Sequence, residues 1–182
     1  HFARIALPQT AVAFSLRHQE RLTHRLEATT DRRQRIGDLY GPELAQVLLP
    51  IQREGNGIRV EGLVAPPAES RSANKWEYIF VNGRYVRDRF VSHATREAYR
   101  SLVDPSRYPV AFIFITVEPC RVDVNVHPTK IEVRFRDPGA IYEQVMKLLN
   151  DALRATPTEP ATVFQAIQGP NNSRQERLRQ AM

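Results

Sequence analysis

One lysine of the sequence occupies a position from which a single positive charge could act at a fixed place. Lys130 lies in the segment VDVNVHPTKIEVRF, residues 122–135, where apolar side chains occupy even positions up to 126 and odd positions from 131. A shift of one residue turns every side chain of a strand to the opposite face, so one uninterrupted strand cannot contain both halves. We therefore predict two strands and, at residues 127–130, a kink that Pro128 stiffens.

The chemistry open to Lys130 follows from this geometry. A kink clamped between strands can hold a long side chain outside the domain, and an ammonium group is a compact charge suited to a terminal phosphate. The sequence has no glycine-rich phosphate loop of its own, so another domain would have to hold that phosphate. The alternative is that Lys130 is an ordinary turn residue in water.

A second candidate site is a row of basic residues around a helix predicted over residues 88–103. Its apolar residues, predicted to face the core, are Phe90, Ala94, Ala98 and Leu102. Its basic residues on another side are Arg89, His93, Arg96 and Arg100, and Arg84 and Arg87 lie on the preceding strand. These five arginines, here called the arginine stripe, fit a contact with the phosphate backbone of a nucleic acid. No aromatic residues alternate with them, so base stacking is not indicated. The alternative is a solvated helix face.

Other site chemistries find no support in the sequence. His93 and His127 are isolated, and the sequence contains neither a His-x-x-x-His pair nor a pair of cysteines, so we expect no metal site. The single cysteine, Cys120, lies in a predicted turn with no obvious base beside it, which makes it a poor nucleophile. It also excludes an internal disulfide framework and agrees with a reducing cytoplasm.

The composition limits the size of the core and the kinds of partner that the protein can have. The 182 residues are 42% hydrophobic, enough for one sizeable core, and no apolar run is long enough to span a membrane. The net charge of +6 points to a polyanionic partner. Nearly all basic residues are arginine, which high-GC codon usage could explain, and the only lysines are Lys75, Lys130 and Lys147. Because the chain begins with His1 and runs directly into ordered-looking sequence, we expect a piece of a longer protein.

The predicted elements position these residues on a mixed α/β domain. The end of a helix precedes a strand at 11–19, and a second strand begins at residue 21. A helix follows the capping residue Asp31 and ends at Gly41, and a further strand follows the glycine-marked turn at 55–57.

The second half of the chain carries the clearest local signals. Asn82-Gly83 predicts a tight hairpin, because a type I′ turn needs positive φ at both positions. The apolar run at 108–119 predicts a central strand buried on both faces. A helix follows Asp137, with an apolar face at Ile141, Val145, Leu148, Leu149 and Ala152, and the polar residues from 156 onward predict a linker. We expect a mostly β sheet covered by about three helices.

Two segments together resemble the MutL family of DNA mismatch repair proteins. They are YIFVNGRYVRD, residues 78–88, and VDVNVHPTKIEVRF, and the similarity in layout runs from about His1 to Ala155. The resemblance implies a transducer domain, with a fold like the second domain of ribosomal protein S-five, that follows a GHKL-type ATPase domain. Residues 1–19 would then be the end of that ATPase domain, 20–155 the transducer and 156–182 the start of a flexible linker.

The resemblance also implies roles for individual residues. Lys130 matches the lysine that reaches the neighbouring ATP site and contacts the γ-phosphate, so it is both the catalytic and the cofactor-binding candidate. ATP and Mg would be held by the upstream domain and not by this fragment, whose sequence lacks the nucleotide-site motifs and predicts no independent ATPase activity. Arg89, in the matching RDR, is the DNA contact that the resemblance implies; the other four arginines rest on helix geometry.

Partners and location follow from the same resemblance. We expect sequence-independent binding to the DNA backbone, a MutS-like mismatch recognition partner, a self-dimer in the full-length protein and a monomeric fragment, all in the bacterial cytoplasm. Two alternatives stay open. One is the transducer of a type II topoisomerase, which has an equivalent lysine; the other is a stand-alone nucleic-acid-binding module, for which Lys130 would be dispensable.

Overall fold

The computed structural model describes residues 1–124, 126 and 131–155. The helices within these ranges are α1 Phe2–Ala6, α2 Arg32–Tyr40, α3 Pro42–Val47, α4 Arg89–Tyr99 and α5 Pro138–Arg154. The strands are β1 Phe14–His18, β2 Arg21–Leu26, β3 Leu49–Gly55, β4 Ile58–Val64, β5 Glu77–Val81, β6 Arg84–Val86, β7 Ala111–Val117, β8 Val122–Asp123 and β9 Arg134–Phe135. The predicted mixed α/β fold is confirmed.

A five-stranded sheet forms the centre of the molecule, in the order β3-β4-β7-β5-β6. The pairing of β5 with β7 is parallel and the other three pairings are antiparallel. A parallel pair needs a crossover connection, which β6 and α4 supply. β7 is the middle strand and six of its seven residues are buried, so the predicted central strand is confirmed.

The sheet separates two apolar layers, which explains why β7 has no polar alternation. Its odd-numbered residues pack with α4 and α5 in a layer of mainly aliphatic side chains. Two of its even-numbered residues, Phe112 and Phe114, pack on the other face with Phe80, Ile36 of α2 and Leu7, the residue after α1. A strand with helices on both sides buries successive residues in different layers, so its sequence is a continuous apolar run.

The predicted hairpin at Asn82-Gly83 is confirmed, and the structure adds a second role for the asparagine. Asn82 and Gly83 have φ values of 48° and 77°, as a type I′ turn requires. The Asn82 side-chain amide also donates to the Val117 carbonyl oxygen at 2.9 Å and accepts from the Val117 amide at 3.0 Å. Asn82 therefore forms the turn and fastens it to the end of the central strand.

Helices α2, α4 and α5 begin where the sequence predicts. Side chains of Asp31, Asp88 and Asp137 cap α2, α4 and α5, each accepting hydrogen bonds from main-chain amides of the first turn. α5 buries four of its predicted apolar residues, whereas Leu153 and not Ala152 completes the fully buried set.

One helix boundary was predicted wrongly. α4 ends at Tyr99 instead of Val103, and the next residues form a turn in which the amides of Leu102 and Val103 both donate to the Tyr99 carbonyl oxygen. Pro105 lies two residues beyond, and the residue before a proline disfavours the helical conformation. The chain therefore leaves the helix early enough to enter the turn before β7.

The N-terminal strands lie outside the main sheet. β1 and β2 pair with each other as a two-stranded antiparallel sheet, so the domain boundary expected after residue 19 falls in the turn between two paired strands.

Cys120 is exposed and lies in a short 3₁₀ turn, Pro119–Arg121, which confirms the predicted turn. Within the described ranges, no helix is long and apolar enough to cross a membrane.

Candidate functional site

α4 presents one buried face and one basic exposed face. The buried residues are Val91, Ala94, Thr95, Ala98 and Tyr99. The predicted core face is therefore rotated: Phe90 is only half-buried and Leu102, beyond the end of the helix, is 48% exposed. The arginines at positions 89, 96 and 100 are exposed, as is His93, so this side of the helix is accessible to a partner.

A cleft of about 1130 Å³ lies beside β6, the edge strand of the sheet. Its walls come from α1, β5, β6, the first turn of α4 and residues 132–135. Five arginine and lysine side chains line it: Arg4, Lys75, Arg87, Arg89 and Arg134. Arg87 and Arg89 belong to the arginine stripe, whereas the other three were not predicted. Arg134 stands in the motif EVRF, but nothing local in the sequence brings Arg4 or Lys75 to the same cleft.

The other three stripe residues do not line the cleft. Arg84 is exposed at the start of β6, opposite Val81 across the hairpin. The guanidinium carbon of Arg96 lies 5.1 Å from the ring centroid of Tyr108, and Arg100 forms an ion pair with Glu97 at 3.3 Å. The predicted stripe is thus divided between the cleft and the outer surface of the domain.

Three acidic residues, Glu77, Asp88 and Glu132, also line the cleft, so its five lysine and arginine side chains remain in excess. Burial raises the pKa of Glu77, whose carboxylate also accepts a 2.8 Å hydrogen bond from the Ser92 hydroxyl group. Burial likewise raises the pKa of Asp88, which caps α4 through bonds of 3.0 and 2.9 Å from the amides of Phe90 and Val91. The excess of lysine and arginine over acidic side chains in its lining suits the cleft to a polyanion.

Lys130 itself lies outside the described residues, together with Asn125 and residues 127–129. Described residues on either side of it pair with neighbouring elements. β8 pairs with β9 in the antiparallel sense, and the Arg87 amide donates to the Ile131 carbonyl oxygen at 2.7 Å. Val126 and Glu132 both line the cleft.

The two strands predicted around residues 127–130 are shorter than expected, with two residues each. In the second half, Phe135 is buried and Val133 packs on the core while Glu132 and Arg134 are exposed, as predicted. In the first half the prediction was wrong for Val124, which is 38% exposed. β8 pairs only with β9 and not with the main sheet, so only part of its apolar face is covered.

The described residues contain no group of three histidine, cysteine, aspartate or glutamate side chains close enough to hold a metal ion. His93 instead lies against the ring of Tyr142, with 5.6 Å between ring centroids.

Comparison with known proteins places the chain in a family. The family described as "DNA mismatch repair protein, C-terminal domain" matches residues 36–154, which is more than half of the chain. The MutL protein of Citrifermentans bemidjiense is 37% identical over 168 residues, covering 92% of this chain and 26% of that protein. The MutL protein of Geobacter sulfurreducens is 47% identical over 123 residues, covering 68% of this chain and 20% of that protein. The chain thus spans only 20–26% of the length of these curated relatives.

Solved structures agree on the fold. The N-terminal domain of a DNA repair protein superposes with a TM-score of 0.71 at 19% identity, covering 84% of this chain and 51% of that one. A mutated Aquifex aeolicus MutL ATPase domain superposes with a TM-score of 0.55 at 15% identity, covering 81% of this chain and 48% of that one. Since the family model covers most of the folded residues and the sequence relatives extend over nearly the whole chain, this protein belongs to the MutL family of DNA mismatch repair proteins.

Proposed function

We propose that this chain is the transducer part of a MutL-type mismatch repair ATPase and that Lys130 contacts the γ-phosphate of ATP. In this proposal residues 1–19 are the end of the upstream GHKL ATPase domain, 20–155 are the transducer and 156–182 begin a flexible linker. The upstream domain holds ATP and Mg. This chain contributes positive charge and position, and it has no ATPase activity alone.

The observation that carries the proposal is the basic cleft. Its lining includes Val126 and Glu132, which stand on either side of the Lys130 segment in the sequence, and five basic side chains. The 2.7 Å bond from Arg87 to Ile131 ties the residue after Lys130 to the end of the edge strand β6. Charge at this edge of the sheet supports a function that involves phosphate groups.

The proposed chemistry depends on the difference between ATP and ADP. A lysine that contacts the γ-phosphate gains that contact only with ATP, so nucleotide state biases the angle between the two domains. The same charge stabilises the phosphoryl group as it departs.

DNA binding in this proposal uses the arginine stripe. Arg87 and Arg89 contact phosphates from the cleft, and Arg84, Arg96 and Arg100 extend the contact outside it. From residue 89 to residue 100 the chain covers about 16 Å at 1.5 Å per residue, which is enough to meet several phosphates of one DNA strand.

For the full-length protein we propose a self-dimer, a MutS-like partner and a cytoplasmic location. For this fragment we propose a monomer.

The first test concerns Lys130. ATP turnover and nucleotide binding should be measured for the full-length parent protein as wild type, Lys130→Ala and Lys147→Ala. Lys147 is the matched control because it is an exposed lysine on α5. We expect Lys130→Ala to lose turnover while it still binds ATP, and Lys147→Ala to behave as wild type. Unchanged turnover in Lys130→Ala would refute the γ-phosphate contact and favour a stand-alone DNA-binding module.

The second test concerns the DNA backbone. DNA affinity of the parent protein should be measured as a function of salt for Arg87→Ala, Arg89→Ala and the control Arg53→Ala. Arg53 lies on β3, at the opposite edge of the sheet from β6. Each lost phosphate contact lowers the slope of log K against log salt by about 0.9, so we expect that decrease for Arg87 and Arg89 and none for Arg53. Equal slopes in all variants would show that the cleft does not contact DNA.

A further inference from the structure

Arg35, in the middle of α2, has a completely buried side chain that binds main-chain carbonyl groups. Its Nη1 donates to the Ala6 carbonyl oxygen at 3.3 Å. Its Nη2 lies 2.7 Å from the carbonyl oxygen of Thr10, 2.9 Å from that of Val12 and 2.8 Å from that of Glu27. One guanidinium group thus joins the end of α1, the loop that follows it and the residue after β2.

These carbonyl groups belong to residues 1–27, here called the N-terminal segment. β1 and β2 of this segment form their own small sheet and share no ladder with the five-stranded sheet. Other contacts of the segment include the buried residues Leu7 and Leu26 and a 2.9 Å hydrogen bond from the Thr29 amide to the Thr10 carbonyl oxygen. The guanidinium carbon of Arg4 also lies 4.3 Å from the ring centroid of Tyr85. Arg35 adds four hydrogen bonds to these contacts, all from one side chain.

The burial of a charge here needs an explanation. Among the ion pairs of the described residues none includes Arg35, so its charge faces carbonyl dipoles instead of a carboxylate. Both Nη atoms donate to these carbonyl groups, whereas the buried Nε has no partner among the described residues. A buried guanidinium group is costly unless its donors are satisfied, and buried carbonyl groups are costly without donors. An apolar side chain would fill the space without fixing direction, whereas a planar group with several donors holds its acceptors in one arrangement.

We propose that Arg35 is a positioning residue that fastens the N-terminal segment to α2, so that the two move as one body when nucleotide state changes. This inference rests on the proposed function, in which residues 1–19 belong to the ATPase domain and α2 to the transducer. Three of the four acceptors would then lie on the ATPase side of the junction. Arg35 would pass movement of that domain to the transducer without touching nucleotide or DNA.

The first experiment is amide hydrogen exchange on this chain as wild type, Arg35→Met and Arg33→Met. Arg33 is the matched control because it lies on the same helix and bonds a single carbonyl group, that of Ala45 in α3. We expect exchange in residues 14–26 to rise at least about tenfold in Arg35→Met while amides of β4 and β7 keep their rates. The N-terminal segment of Arg33→Met should exchange as in wild type.

Two outcomes would overturn the proposal. One is unchanged exchange in the N-terminal segment; the other is an equal rise in β4 and β7, which would make Arg35 a general core residue. Should Arg35→Met fail to fold, Arg35→Lys, which keeps the charge but has fewer donors, takes its place. Failure of Arg35→Lys to fold would also count against a local role.

The second experiment tests coupling in the full-length parent protein. The ratio of DNA affinities with a non-hydrolysable ATP analogue and with ADP should be measured for the same variants. We expect Arg35→Lys to reduce this ratio severalfold while its affinity for the ATP analogue stays unchanged, and a ratio equal to wild type would refute the coupling role. If instead Lys130→Ala leaves ATP turnover intact, the proposed function fails, whereas hydrogen exchange still reports whether Arg35 fastens the segment.

Discussion

Gly62, in the middle of β4, should tolerate no side chain, although its backbone conformation is ordinary. It lies opposite Ile113 of the central strand β7, in the pairing that holds the two halves of the sheet together. A Cβ atom at this position would lie well under 3.0 Å from the Phe112 carbonyl oxygen and 3.2 Å from the Ile113 Cα atom. Both obstacles are main-chain atoms of a strand paired on both sides, so neither can swing away as a flexible side chain would.

The expected loss of stability in Gly62→Ala follows from the need to move β4 away from β7. Overpacking a well-packed core costs about 1–3 kcal/mol, occasionally more, and a main-chain clash belongs at the upper end. Replacing glycine by alanine also lowers the conformational entropy of the unfolded chain, which stabilises the folded state by about 0.4–1 kcal/mol. We therefore expect Gly62→Ala to lower the free energy of unfolding by about 2–3 kcal/mol. For a chain of this size that corresponds to a fall in Tm of very roughly 4–12 °C.

Urea unfolding followed by circular dichroism measures this difference, with Gly139→Ala as the control. Gly139 lies in the first turn of α5, and a Cβ atom there would meet only the Asp137 carboxylate oxygen, at 3.5 Å, an ordinary contact. Gly139→Ala should equal wild type or exceed its stability by up to about 1 kcal/mol. A Gly62→Ala variant within about 0.5 kcal/mol of wild type would refute the reasoning, because the strands would then have room to separate at little cost.

Two further predictions concern carboxyl groups beside the cleft. Because burial raises the pKa of Glu77 above its ordinary value of 4.5, the folded state retains a proton that the unfolded state releases, and stability is lost as pH rises through the folded pKa. Glu77→Gln should therefore gain stability relative to wild type between about pH 4.5 and neutral pH, measured by urea unfolding at several pH values. Asp88→Ala should cost about 1 kcal/mol through loss of the α4 cap, with faster amide exchange in the first turn, whereas Asp88→Asn should cost less.

Each of these has a contradicting result. If the stability of Glu77→Gln falls with pH in parallel with wild type, another group controls the pH dependence; Asp88, whose pKa is also raised, is the next to examine. If Asp88→Ala and Asp88→Asn lose equal stability, the carboxylate contributes through something other than the two amide bonds that it accepts.

Much of the local structure was predictable because it depends on neighbours in sequence. A turn that needs positive φ at two adjacent positions can be recognised from Asn82-Gly83 alone, and an aspartate before an apolar helical pattern indicates a cap. The unbroken apolar run around β7 predicted a strand buried on both faces, and the change of alternation around residues 127–130 predicted two separate strands. Each of these depends on at most a few turns of helix or one strand.

The lining of the basic cleft was only partly predictable because it combines distant parts of the chain. Arg87 and Arg89 were found from helix geometry, but Arg4 and Arg134 reach the same cleft only because α1 and the β8–β9 pair lie beside the edge strand β6. Lys75 reaches it because it stands just before β5, the strand that pairs with β6. The sequence pattern contains no information on which strand is at the edge. Sheet order is set by which pairings bury the most apolar surface together.

The sequence by itself therefore determined the α/β class, the main turns and caps, the central strand and, through two motifs, the MutL family. The tertiary structure alone decided that the arginine stripe is divided, that five basic side chains share one cleft and that Arg35 is buried. On α2 the pattern of Ile36, Leu39 and Tyr40 gives no sign that Arg35 points inward. Its burial is stable only because four carbonyl groups from three separate places converge on it, and that convergence exists only in the folded chain.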